Sequence, residues 1–464
     1  MRILILGGGP AGYVAAIRAA QLGADVILVE KDKVGGTCLN RGCIPTKVLL
    51  HTTVEIENIN NDFKEMGINI AGVEVNWQQL QRRKEKTVSK LVGGVEGLLK
   101  SNKIEKITGE GRFKSANEIM VKNALGETIV SFDYAVIATG SEPVIIPLPG
   151  VDLPGVITSD EVLSLHEVPK SMAIIGGGVI GTEIASVYST LGCKVSIIEM
   201  LPDIVSNMDK DIVRPLKEKL IKSGIDIYLN TKVVSISESP EGQGLSLNAI
   251  SPQGELSVPA EKILLSIGRK PVTCNLSLDE IGIRTDRGRI LVNKNMQTNI
   301  DNIYAAGDCT GGVMLAHTAS AEGTVAVEAI MGKKSQIDFR TTPYCVYTKP
   351  ELAGVGLTEE QAIEKGYEVR IGSAPMYING KAMIEGETEG IAKYVTDAGT
   401  GEILGLHMAG PRATDLIVEG SLAIRLEATV DEITSTIHAH PTIGEVLHEA
   451  AHAVHGNAIH IPKR

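Results

Sequence analysis

Short apolar runs closed by glycine-rich turns punctuate the first half of the chain. Arg2–Leu6 is one such run; Gly7-Gly8-Gly9-Pro10-Ala11-Gly12 follows it, then a stretch of helical spacing over 13–22, then a second apolar run over 25–29 that ends in Glu30. Brief continuous apolar runs between turns predict strands buried on both faces, and the intervening 3.6-residue spacing predicts a helix, so the order is that of a parallel βαβ unit. The same grammar returns as 172–175, Gly176-Gly177-Gly178-Val179-Ile180-Gly181, a helix to Leu191, and Lys194–Ile198 ending in Glu199. Each acid stands at the same distance beyond the first glycine of its unit. A further strand is predicted over 134–138, before Thr139-Gly140. From Thr341 the pattern changes: strands over 391–395 and 403–408, an apolar helix over 415–425, and a histidine-rich tail. Four regions result: 1–143, 144–268, 269–340 and 341–464.

Composition narrows the class. A chain of 464 residues predicts roughly three domains, and 43% apolar with 22% charged residues excludes bulk disorder. The net charge of −11 argues against nucleic acid or an anionic membrane as partner, since both call for a cationic surface. No apolar run approaches the ~18 residues of a spanning helix. The apolar start resembles a short signal peptide, but its glycines read better as a strand-to-helix turn, and with six cysteines in so long a chain the expected setting is the reducing cytoplasm.

The glycine spacing carries chemistry. In such a unit the first glycine makes the turn (Gly7, Gly176), the second lets backbone approach a pyrophosphate (Gly9, Gly178), and the third lets helix and strand pack closely (Gly12, Gly181). The helix N-terminus offers unpaired N–H groups to the phosphates, and Glu30 or Glu199 accepts from a ribose. One such loop also occurs as a plain turn; two in matched context predict two dinucleotide sites. No arginine flanks Glu199 in EMLPD, which favours NAD over NADP.

Cys38 and Cys43 lie just beyond the first acid, with four residues between them. As a staple the pair would close too small a loop to remove much entropy from the unfolded chain. As a zinc site it lacks a second cysteine pair. Two unrelated buried thiols are the plain alternative. Directly after a dinucleotide unit, however, the sulfurs can lie against the redox end of a cofactor and switch between dithiol and disulfide. Thiolate chemistry needs a proton acceptor near neutral pH, and His440, with Glu445 five residues on to set its tautomer, offers one; spacing alone favours a solvated or packed histidine. The tail also holds His448-Glu449-Ala450-Ala451-His452, the pattern of helical zinc hydrolases, with His455 and His460 nearby. Such five-residue patterns arise by chance in His-rich helices, and no substrate cleft is suggested around this one.

Together, GGTCLNRGCIPTK, the two glycine-rich units, Tyr304-Ala305-Ala306-Gly307-Asp308 and HAHPTxxE resemble the pyridine nucleotide–disulfide oxidoreductase family, in order and over essentially the whole chain. The resemblance implies an α/β fold of two Rossmann-like domains, one for FAD (1–143) and one for NAD (144–268). A central FAD-binding segment (269–340) and a C-terminal α+β dimerisation domain (341–464) follow, and the chain works as a homodimer. It implies FAD on the first cradle with Glu30 at its ribose. Lys47 lies by the flavin and pairs with Glu183; Gly111, Thr139, Gly140, Ser141, Asp308 and Ala316 line the same site. NAD falls to the second cradle with Glu199, Val233 and Gly268. By the same likeness Cys38 is the interchange sulfur, Cys43 the flavin-side sulfur, and His440, oriented by Glu445, the base from the other subunit. The implied substrate is the dihydrolipoyl-lysine of a carrier protein in a 2-oxoacid dehydrogenase or glycine cleavage complex. A flavin reductase of another disulfide, such as glutathione, is the nearest rival; a zinc hydrolase and a purely structural subunit are the others. Lys349, in Tyr347-Thr348-Lys349-Pro350-Glu351, departs from the pattern. Cys193, Cys274, Cys309 and Cys345 are expected to be packing thiols.

Overall fold

The computed structural model describes residues 1–61, 63–239 and 244–462. Its first sheet runs Ile303–Ala305, Tyr134–Ile137, Arg2–Leu6, Asp25–Glu30, Glu105–Thr108, parallel throughout. Its second runs Asp226–Tyr228, Lys194–Ile198, Ser171–Ile175, Lys262–Leu265, Val156–Thr158, again parallel. In both, the strand that feeds the glycine loop is central, which accounts for its uninterrupted apolar run: helices pack on one face and a three-stranded antiparallel sheet on the other. The first helix spans Pro10–Gln21, three residues ahead of the expected start, because a proline is tolerated where the helix has no N–H acceptor to satisfy. Its counterpart spans Val179–Thr190.

The chain leaves the first sheet and returns through one antiparallel ribbon, Ser141–Pro143 against Arg269–Pro271. The returning segment adds Ile303–Ala305 to the first sheet and lays helix Ala316–Ile330 on helix Pro10–Gln21. The two helices approach so closely that a Cβ on Gly323 would lie 2.3 Å from the Ala11 carbonyl oxygen. The central segment thus shares a core with the first unit.

The C-terminal region is an antiparallel sheet ordered Tyr344–Val346, Glu351–Gly356, Ile403–Gly410, Ile391–Asp397, Val369–Pro375. Ile403–Gly410 is buried at every position, because helix Ala413–Arg425 and helix Lys210–Lys222 of the second unit both pack on it. At that junction the buried Lys393 ammonium bonds Asp209, Asp211 and Glu359 at 2.7–3.0 Å. Removing one partner of such a buried cluster would strand charge away from water. The long helix Trp77–Ser101 and the hairpin sheets within 110–131 and 232–260 have no counterpart among the sequence expectations. Among the described residues no helix is long and apolar enough to cross a membrane.

Candidate functional site

The parallel strands of each unit end at a cradle. Gly7 and Gly176 take φ of 107° and 104°, the left-handed region in which a side chain would be strained. A Cβ on Gly12 would lie 1.8 Å from the Gly7 carbonyl oxygen, and one on Gly181 2.1 Å from that of Gly176, so helix and turn are in direct contact. The acids close the cradles: Gly8 N–H donates to Glu30 Oε2 and Gly177 N–H to Glu199 Oε2, each at 2.6 Å. Around Gly9 and Gly178 the backbone leaves room; a Cβ on Gly178 would meet nothing within 4 Å among the described residues. Open N–H groups at a helix start beside a placed carboxylate fit the pyrophosphate and ribose of a dinucleotide, so both cradles pass the chemical test for FAD and NAD.

Further residues gather at the first cradle. Ser141 Oγ donates to Asp308 Oδ2 at 2.5 Å, Thr139 Oγ1 donates to the Val272 carbonyl at 2.6 Å, and Gly140 makes the turn between them at φ 74°. Ala316 opens helix Ala316–Ile330. Gly111 lies in the neighbouring hairpin sheet, where a Cβ would press on Leu6, the residue before Gly7, and on Ile119. At the second unit, Val233 is the second residue of strand Lys232–Glu238, just beyond Thr231, whose N–H donates to the Glu199 carbonyl, and Gly268 sits at φ 121° where the chain re-enters the ribbon.

Between the cradles lie the cysteines. Cys38 is in helix Gly36–Arg41 and Cys43 opens helix Cys43–Asn61; both thiols are free and half-buried. The Cys38 thiol hydrogen-bonds Cys43, which brings the Cys43 thiol down to about 7 and pushes that of Cys38 far above its ordinary value. Lys47 follows Cys43 by one helical turn, on the same face, and also lowers it. The Lys47 ammonium donates to Glu183 Oε1 and Oε2 at 2.9 and 2.8 Å, bridging the first unit to a carboxylate of the second that is only 4% exposed.

His440 lies elsewhere in the chain. Its Nδ1 donates to Glu445 Oε1 at 2.9 Å, leaving Nε2 as the basic nitrogen, and the ring is 77% exposed. Burial would raise the Glu445 carboxyl, but the Thr442 N–H and His440 hold it below its ordinary value. No hydrogen bond or ion pair among the described residues joins His440 to either cysteine of its own chain. The zinc-like pattern comes apart: His448 Nε2 donates to the Thr434 carbonyl, and Glu449 accepts from His460 Nδ1 at 2.7 Å. Among the described residues no three His, Cys, Asp or Glu side chains converge on a metal position.

Several contributors carry no local sequence signal. Arg269 donates from Nε to Ser141 Oγ and from Nη2 to the Ser141 carbonyl, both at 2.7 Å, and reaches toward Thr37 and Asp160. Glu322, 3% exposed, accepts from Gly307 N–H at 2.6 Å, and burial pushes its carboxyl up to about 7. Tyr347 covers the Lys47 ammonium. Lys349 bonds Asn58 Oδ1 at 2.6 Å and lies 3.6 Å from Glu387, stitching helix Cys43–Asn61 to the C-terminal region. Cys193 and Cys309 are packing thiols pushed up to about 12 by burial, and Cys345 is half-buried; Cys274, by contrast, is exposed, because it sits in a surface loop rather than a core strand.

The sequence profile described as pyridine nucleotide-disulphide oxidoreductase matches residues 1–323, and the profile of that family's dimerisation domain matches 342–451. A dihydrolipoyl dehydrogenase of Bacillus subtilis is 42% identical over 468 residues, spanning 99% of this chain and 98% of its own. A mitochondrial dihydrolipoyl dehydrogenase of Pisum sativum is 40% identical over 462 residues, covering 99% of this chain and 92% of its own. Among solved structures, LpdA of Mycobacterium tuberculosis aligns with a TM-score of 0.90 at 27% identity, covering 97% of this chain and 99% of its own. Paired cradles, a thiol pair between them and full-length kinship agree, and the chain belongs to the pyridine nucleotide-disulphide oxidoreductase family.

Proposed function

We propose that the protein is a dihydrolipoyl dehydrogenase, passing two electrons from the dihydrolipoyl-lysine of a carrier protein to NAD+ through Cys38, Cys43 and FAD. The observation that carries this reading is the thiol pair set between two dinucleotide cradles, with Lys47 and Glu183 joining the two units beside Cys43. FAD is assigned to the cradle of Gly7, Gly9, Gly12 and Glu30, with Asp308 and Ser141; NAD is assigned to that of Gly176, Gly178, Gly181 and Glu199.

In the oxidised protein a substrate thiolate attacks Cys38 Sγ, breaking the Cys38–Cys43 bond and leaving Cys43 as thiolate. The second substrate thiol then attacks the mixed disulfide, releasing Cys38 and closing the substrate disulfide. Lys47 stabilises the Cys43 thiolate, and its pairing with Glu183 ties the ammonium to the second unit. Of the substrate's two protons one goes to His440 of the partner subunit at Nε2, with Glu445 fixing the tautomer within each chain, and the other to the released Cys38. Bound flavin and nicotinamide supply the hydride chemistry that thiols lack. A working homodimer fits the exposed apolar side chains Met383, Ile384, Val418, Leu422 and Ile437 of the C-terminal domain.

Anaerobic titration tests the reading. Dihydrolipoamide is expected to bleach the visible flavin band, and NAD+ to restore it with formation of NADH. Turnover of glutathione disulfide with NADPH, and an unchanged spectrum with dihydrolipoamide, would favour the rival reductase. Cys43→Ser is expected to retain FAD and lose dithiol turnover by on the order of a thousandfold or more, measured as dihydrolipoamide-dependent NADH formation.

A further inference from the structure

Tyr347 belongs to the C-terminal domain but touches the redox machinery of its own chain twice. Its backbone N–H donates to Glu183 Oε1 at 3.0 Å, and its ring lies under the Lys47 ammonium, 4.5 Å from the centroid. Glu183 therefore accepts from both Lys47 and Tyr347, and the three residues form a closed triangle drawn from three regions of the chain. The arrangement matters because the carboxylate and the ammonium act on Cys43 in opposite senses: Lys47 lowers its pKa and Glu183 raises it. An ammonium held only by the carboxylate would be drawn toward Glu183. A ring on its other side offers a competing attraction and takes water off that face. The water in question is that of a cavity of about 640 Å3, which Lys47 and Tyr347 both line together with Leu50, His51, Lys349 and Arg412.

We propose that Tyr347 is a positioning residue for the redox pair, its ring face holding and partly desolvating the Lys47 ammonium so that this charge acts on Cys43. The inference rests on the reading of Cys43 as a redox sulfur. It assigns the ring, not the hydroxyl: the hydroxyl is occupied with Cys345, which the ring does not need in order to face Lys47. It also gives the C-terminal domain a part in the electrostatics of the thiol pair within one subunit, apart from any residue contributed across the dimer.

The test is the pH profile of iodoacetamide alkylation in the dithiol-reduced, anaerobic holoenzyme, with Cys43 followed by peptide mass spectrometry. In the unsubstituted protein Cys43 is expected to titrate at about 7. Tyr347→Leu is expected to move that midpoint up by about half a pH unit, leaving about threefold less thiolate on the acid side of the curve. Tyr347→Phe, which keeps the ring, is expected to overlay the unsubstituted profile. A Tyr347→Leu profile identical to the unsubstituted one overturns the proposal, and so does a Tyr347→Phe profile displaced as far as that of Tyr347→Leu. Should the leucine variant fail to assemble, Tyr347→Gln, equally ringless, carries the same expectation. A Cys43 midpoint in the range of an ordinary thiol in the unsubstituted protein would instead remove the reading of the pair on which the inference stands.

Discussion

In the first unit the Glu30 carboxylate accepts from Gly8 N–H at 2.6 Å and from Asp32 N–H at 2.8 Å; in the second, Glu199 accepts from Gly177 and Leu201 at the same two distances. The dihedrals agree as well, with Gly9 at φ −70° and ψ −174° and Gly178 at φ −72° and ψ −173°. What differs is the structure laid over each loop. The redox segment crosses the first cradle, where a Cβ on Gly36 would lie 2.7 Å from Gly9 Cα, and Asp308 and Glu322 of the central segment converge there with Ser141. Over Gly178 nothing comparable approaches among the described residues. One local cradle thus serves two ends: roofed, it suits a cofactor retained through the catalytic cycle, and open, it suits one that exchanges.

The comparison can be broken at its glycines. Gly12→Ala places a methyl carbon 1.8 Å from a backbone oxygen that has no room to retreat, so the first unit should lose its flavin, seen as colourless protein with a lowered Tm. Gly178→Ala, facing open space at an ordinary φ, should leave Tm unchanged and flavin bound while raising KM for NAD+. A smaller effect separates the units by pH. Glu322 has a folded pKa of about 7 against an ordinary 4.5, so the native state holds its proton where the unfolded chain releases it. Stability should therefore fall as pH rises from 4.5 to 7, by up to about 3 kcal/mol, and level off above that. Glu322→Gln should abolish this slope in urea titrations and match the unsubstituted protein below pH 4.5. The smallest effect tests the acids. Glu199→Ala strands two N–H groups at the second cradle and should raise KM for NAD+ by roughly tenfold with flavin content intact, whereas Glu30→Ala should lower flavin content first.

The histidine tail shows where reading along the chain stops. His448 and His452 do share a helix face, their rings 4.5 Å apart, as four-residue spacing in a helix requires. The partner of His448, however, is the Thr434 carbonyl and that of Glu449 is His460, which no spacing rule connects to them. His440 and Glu445 meet as spaced, yet the same spacing fits a purely local contact, and only the ring's exposure leaves its basic nitrogen available.

The order of strands, loops and helices in both cradles, the acids at their rims and the nearness of Cys38 to Cys43 were determined by sequence alone, because each depends on residues within about two dozen positions and on local backbone geometry. Lys47 meeting Glu183, Ser141 meeting Asp308, Glu322 under Gly307 and Tyr347 against Lys47 were decided by tertiary structure. Hydrophobic periodicity says which face of a helix or strand is buried, but not which distant side chain arrives to face it. That choice belongs to the packing of whole units, and it is there that the charge around the thiol pair is set.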